Sequence, residues 1–104
     1  MAGQQDRTGG AVQERVRVEK RTPDFFKVVL LNDDYSTMDF VIEVLESVFQ
    51  KSPAEAYGIM MQVHVQGRGI AGVYPFEIAE TKVDTVATMA REAGFPLRAT
   101  IEKA

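Results

Sequence analysis

Ser52-Pro53-Ala54-Glu55 dictates where one helix of this chain begins. The serine hydroxyl accepts from a first-turn backbone N–H, and the glutamate returns a bond to the serine N–H. Proline brings a preset φ and has no N–H to leave unpaired. Ala56, Ile59, Met60 and Val63 then keep helical spacing, the run reaches His64 or Gln66, and Gly67 ends it. Gly58 inside this helix costs about 1 kcal/mol relative to alanine, which points to close packing there.

The segments on either side follow from the same punctuation. Phe25-Phe26-Lys27-Val28-Val29-Leu30-Leu31 is short, rich in aromatic and β-branched residues, and bounded by turn formers, so it reads as a buried strand. Asn32-Asp33-Asp34-Tyr35-Ser36 breaks it. A helix over about Thr37 to Phe49 comes next, with Ser36 as N-cap and Asp39 as its reciprocal partner. Met38, Val41, Ile42, Leu45, Val48 and Phe49 form its apolar stripe, while Asp39, Glu43 and Glu46 take the other face. Ile70 to Tyr74 reads as a second strand. Pro75 starts a third helix with Phe76, Ala79, Val83, Val86, Ala87 and Ala90 on one face. Gly94 stops it and Pro96 bars its resumption. Leu97 to Glu102 is a closing strand. The order βααβαβ defines an α/β fold, an α+β sandwich with a small sheet. Residues 1–22 hold almost no apolar residues beyond Val12, Val16 and Val18, so an unstructured tail is expected before a domain of residues 23–104.

Composition removes several function classes. The chain has no cysteine, which excludes disulfides and thiolate metal sites, and its single histidine excludes a multi-histidine metal site within one chain. A net charge of −3 with scattered basic residues argues against nucleic acid as a partner. No apolar run approaches bilayer length, the amino-terminus is polar, and Ala2 stands where myristoylation needs glycine. A cytoplasmic protein is expected, with no cofactor and no metal.

Catalysis finds little support. No serine sits in a Gly-x-Ser-x-Gly elbow, and Gly67-Arg68-Gly69 lacks the phosphate-cradling continuation. Asn32-Asp33-Asp34 on its own reads as a turn bonding its own backbone, and it lacks the alternating ligands and distal glutamate of a calcium loop. Met60 and His64, at i and i+4, read separately as a core residue and the end of an amphipathic helix. Taken together they say more. If the first two helices pack, Asn32 and Asp33 bring acceptors to an apolar hole edged by Met38, Val41, Met60, Val63 and His64. A primary ammonium has three donors and one charge, and it suits an amide oxygen, a carboxylate and a neutral imidazole nitrogen. Capture of a free amino-terminus, with the first side chain in the hole, follows as the leading hypothesis.

At these residues the sequence resembles the ClpS family, adaptors of the ATP-dependent Clp protease. The resemblance runs from about Phe25 to Ala104. It is carried by Lys27 to Tyr35, Met38 to Leu45, Met60 to His64, Gly72-Val73-Tyr74, Glu77 to Val83 and the carboxyl end from Pro96. It implies three helices on a three-stranded antiparallel sheet, related to the carboxyl-terminal domain of the ribosomal stalk protein. It also implies binding of proteins whose first residue is Leu, Phe, Tyr or Trp, and their delivery to the ClpA unfoldase for degradation by ClpP. By position, Asn32, Asp33 and His64 would hold the α-amine. Met38, Val41, Met60, Val63 and Leu97 would line the side-chain pocket, with Asp34 and Ser36 at its rim and Met38 as the gate against β-branched residues. Glu77 and Lys82 fall where the family contacts the unfoldase's N-terminal domain, although alone they read as a solvated helix face.

Thr37 departs from a proline common at that point, Ala71 from a frequent cysteine, and Arg98-Ala99 from an apolar and cysteine pair. Changes beside Leu97 bear on first-residue preference. A stalk-like interaction module without a pocket is the alternative. It shares the fold and would be indifferent to Asn32→Ala or His64→Ala. A metal-dependent enzyme, sensitive to chelators, is the third class.

Overall fold

The computed structural model describes residues 24–104. The tail expected over residues 1–22 lies outside the described residues. The elements are β1 (Phe25–Leu31), α1 (Met38–Ser47), α2 (Pro53–Gln66), β2 (Arg68–Pro75), α3 (Phe76–Ala93) and β3 (Arg98–Lys103). The three strands form one antiparallel sheet in the order β2-β1-β3. The expected three-helix, three-stranded antiparallel architecture is therefore present. Val28 and Leu30 of the central strand join Val44, Leu45, Met60, Val63, Val86 and Leu97 in one core. A fully buried leucine such as Leu45 contributes about 2–3 kcal/mol through removal of its surface from water.

The capping box of α2 forms as its sequence dictates. Glu55 N–H donates to Ser52 Oγ at 3.2 Å, and Ser52 N–H donates to Glu55 Oε1 at 3.0 Å. Gly67 closes the helix at φ 89°, a conformation that costs a residue with a Cβ. Gly58, in contrast, has no atom within 4 Å of where a Cβ would stand, so the close packing expected there is absent.

Helix α1 corrects the sequence reading at its start. Its N-cap is Thr37, whose hydroxyl accepts from Phe40 N–H at 3.1 Å. Ser36 is not the cap, because its own N–H is donated to Asp33 Oδ1 at 2.6 Å and it belongs to the preceding turn. The helix also stops at Ser47, short of Phe49. In α3 the expected apolar face is narrower. Ala79, Val86 and Ala90 are buried, whereas Ala87 is exposed and Phe76 is 45% exposed, set edge-on against Phe26. The strands are displaced slightly from their expected bounds, with β2 longer at both ends and Leu97 preceding β3.

Candidate functional site

The reversal at Gly67 is what brings the two polar groups of the sequence together. Helix α2 ends there, Arg68 at once pairs with Leu31, and Asn32 N–H donates to the Gly67 carbonyl at 2.9 Å. His64, one turn before Gly67, is thereby set beside the end of β1. Gly69 permits the tight return: a Cβ there would stand 2.8 Å from Val63 Cγ2. Helices α1 and α2 pack against each other, as the amine-capture hypothesis requires.

Between them lies a hollow of about 230 Å³. Asn32, Asp33, Asp34 and Ser36 line it from the turn, Met38 and Val41 from α1, and Met60, Val63 and His64 from α2. Nine of the ten residues expected around such a pocket thus share one cavity. Leu97 is the tenth. It is 3% exposed, belongs to the core, and is not part of this lining. Met60 and Val63 are buried members of the core as well as walls of the hollow, and Met38 stands half open to solvent at 49% exposure.

Asp33 divides its carboxylate between two tasks. Its Oδ1 accepts from Tyr35 N–H at 2.8 Å and Ser36 N–H at 2.6 Å, which is the backbone-bonding turn the sequence calls for. Its Oδ2 is buried and has no hydrogen-bond partner, and the same holds for Ser36 Oγ. Burial alone raises the Asp33 pKa. The backbone N–H groups of Ser36 and Tyr35 outweigh that and hold the carboxyl below its usual value. The site therefore keeps a carboxylate charged with one oxygen uncommitted. A buried acceptor without a partner costs about 1–3 kcal/mol, so this oxygen is a standing demand for a donor.

Glu77 and Lys82 lie elsewhere. They line a second cavity of about 670 Å³ together with Ser47, Val48 and Gln50 from the end of α1 and Ile78, Thr81, Thr85 and Met89 from α3. Glu77 is exposed, in keeping with a solvated face, but Lys82 is half-buried. Its ammonium donates to the Val48 carbonyl at 2.6 Å and to Gln50 Oε1 at 3.1 Å. It also lies 5.3 Å from the ring centroid of Tyr74 and 6.0 Å from that of Phe49. Nothing local in the sequence announces these bonds, which join residues more than thirty positions apart. Ile78 carries a readable sign: it is apolar, lies off the core stripe of α3, and is 48% exposed. Among the described residues no helix is long and apolar enough to cross a membrane, and no three His, Cys, Asp or Glu residues cluster as metal ligands do.

Comparison with known proteins gives the same answer at three levels. Residues 21–100 match the family model of the ATP-dependent Clp protease adaptor protein ClpS. The chain is 59% identical over 81 residues to the ATP-dependent Clp protease adapter protein ClpS of Wolinella succinogenes, covering 78% of this chain and 79% of the relative. It is 52% identical over 93 residues to the ClpS of Shewanella loihica, covering 89% and 91%. Among solved structures, Agrobacterium tumefaciens ClpS2 bound to L-phenylalaninamide is similar with a TM-score of 0.77 and 41% identity. That match covers 80% of this chain and 100% of the other. Matched over most of its length in sequence and in fold, the chain belongs to the ClpS family of Clp protease adaptor proteins.

Proposed function

We propose that the hollow captures the free α-amino group of proteins that begin with Leu, Phe, Tyr or Trp, and that the chain delivers them to a ClpA-type unfoldase for degradation by ClpP. The observation that carries this reading is the unpartnered, buried Oδ2 of a charged Asp33 in a cavity walled by Met38, Val41, Met60 and Val63. An α-ammonium satisfies that oxygen, directly or through one water, while the Asn32 side-chain oxygen and a His64 ring nitrogen take its other two donors. The first side chain then enters the apolar part. At about 230 Å³ the hollow is smaller than the roughly 300–1,000 Å³ of pockets for drug-sized ligands, which fits one residue. The L-phenylalaninamide bound by the similar ClpS2 has this chemistry: a free amine next to an apolar ring. Met38 at the mouth excludes a branch at Cβ, because its side chain narrows the entrance where that bulk would have to pass.

The energetics are adequate. Burial of a Leu or Phe side chain contributes about 2–3 kcal/mol. Each charge-assisted hydrogen bond adds about 1.5–3 kcal/mol before the cost of association, which puts micromolar affinity within range. The unfoldase contact belongs on the second cavity, around Glu77 and Lys82. A pocketless stalk-like module would share the fold, but it gives no reason for a charged carboxylate with an unpaired oxygen in a cavity.

Fluorescence anisotropy with peptides that differ only in their first residue tests the reading. Leu, Phe, Tyr and Trp peptides should bind at micromolar concentration or below, and Ala, Glu and Ile peptides should bind far more weakly. Asn32→Ala and His64→Ala should each lose the strong binders. A flat panel, or indifference to both substitutions, overturns the proposal in favour of the pocketless module.

A further inference from the structure

The turn that follows α1 contains a conformation that the chain does not adopt by default. Gln50 has φ 52° and, among the described residues, is the one non-glycine residue at positive φ. Two side-chain bonds hold it there. Its Nε2 donates to the Ser47 carbonyl at 3.0 Å, and its Oε1 accepts from Lys82 Nζ at 3.1 Å. Lys51 N–H then reaches back to the Leu45 carbonyl at 3.1 Å and completes the helix end. Two further carbonyls at this end, those of Ser47 and Val48, are covered by side chains, the second by the Lys82 ammonium, where a cation also meets the negative end of the helix dipole.

We propose that Gln50 is a positioning residue for the groove of Glu77 and Lys82, holding the Lys82 ammonium in one place so that its remaining donor is presented to the partner. This rests on the reading of that groove as the unfoldase-facing surface. An ammonium has three donors. Two are spent inside the chain, on Val48 and Gln50. The third is left for an acceptor that the partner brings, a carboxylate or a carbonyl. A lysine side chain ordinarily loses much rotamer freedom when it is bound. Here Gln50 and the Tyr74 ring have removed that freedom in advance, so the contact is preorganised.

Gln50→Gly isolates the effect, because glycine adopts positive φ without strain and only the two side-chain bonds are lost. Gln50→Glu keeps an acceptor for Lys82. Binding to the full-length unfoldase of the same organism, followed by surface plasmon resonance, should weaken about 3- to 10-fold in Gln50→Gly and stay within about twofold of wild type in Gln50→Glu. In a Lys82→Met background, Gln50→Gly should add nothing, since the residue acts through the ammonium. The Lys82 ammonium resonance in nitrogen-15 NMR of the free protein should move and broaden in Gln50→Gly. Wild-type binding by Gln50→Gly, full additivity with Lys82→Met, or an unmoved ammonium signal each overturns the proposal. Failure of the wild-type chain to bind the unfoldase falls instead on the groove reading, and the ammonium signal then decides the role of Gln50 alone.

Discussion

The two cavities differ in what they leave unfinished. In the hollow between α1 and α2, Asp33 Oδ2 and Ser36 Oγ are buried without partners. In the groove between the end of α1 and α3, the Lys82 ammonium already rests on two oxygens and two rings. The smaller cavity is an electrostatic demand awaiting a ligand. The larger one is a finished shape, with charge fixed in place. A site of the first kind recognises a chemical group, and a site of the second kind recognises a surface. On the proposed reading, one domain holds a substrate and a partner at once without asking either cavity to do both tasks.

The sharpest way to break this distinction is to remove the donors that the hollow demands. Acetylating the amine of a Leu-first or Phe-first peptide removes the charge and two donors. The expected loss exceeds about 100-fold in anisotropy titrations, since charged hydrogen bonds contribute about 1.5–3 kcal/mol each. An acetylated peptide that binds as well as the free one would show that the hollow recognises grease alone.

Asp33→Asn asks a narrower question. The amide oxygen can replace Oδ1 for the Tyr35 and Ser36 N–H groups, so the turn survives. Where Oδ2 stood, an NH₂ group would face the ammonium, donor against donor. Peptide affinity should fall about 10- to 100-fold, and the thermal midpoint should move little. A midpoint that collapses with the affinity would place Asp33 in the fold and not in the site.

Lys82→Met carries the comparison to the groove. Methionine keeps a stem of similar length but takes the ammonium away from the Tyr74 and Phe49 rings and leaves the Val48 carbonyl unpartnered. Urea unfolding should show a loss of about 1–3 kcal/mol, with unfoldase binding reduced alongside it. The same variant should titrate Leu-first peptides as the parent does. An equal loss at the hollow would mean that the two cavities are coupled through α1.

Legibility in the sequence followed the range of the interactions. The α2 capping box joins residues three apart, and every part of it could be read from Ser52 to Glu55. The start of α1 could not, because Ser36 and Thr37 are adjacent hydroxyls and serine is in general the better cap of the two. The choice fell to Asp33, which takes the Ser36 N–H for its own turn. The polar turn, His64 and the apolar walls could be assembled only on the assumption that α1 and α2 meet. The Gly67 reversal and the Asn32 N–H bond supply that meeting. Lys82 read as solvated because its partners lie more than thirty residues away. Leu97 was placed at the pocket by resemblance, and the fold sets it in the core, outside the lining of the hollow.

Acid gives the mildest perturbation and tests the Asp33 carboxylate in place. Burial raises the folded-state pKa of Asp33, but the Ser36 and Tyr35 N–H groups outweigh it and leave that pKa lowered. A carboxyl depressed on folding lends stability that is complete above its unfolded pKa and is lost only as pH falls through the lower, folded value. The turn and its charge therefore persist into mild acid. Peptide affinity, followed by anisotropy, should therefore hold through mild acid and fall only below the ordinary carboxylate range, where the proton that neutralises Asp33 removes the charge facing the ammonium. Asp33→Asn should bind more weakly from the start and lose that dependence. If Asp33→Asn kept the wild-type slope, the carboxylate would have no part in holding the amine.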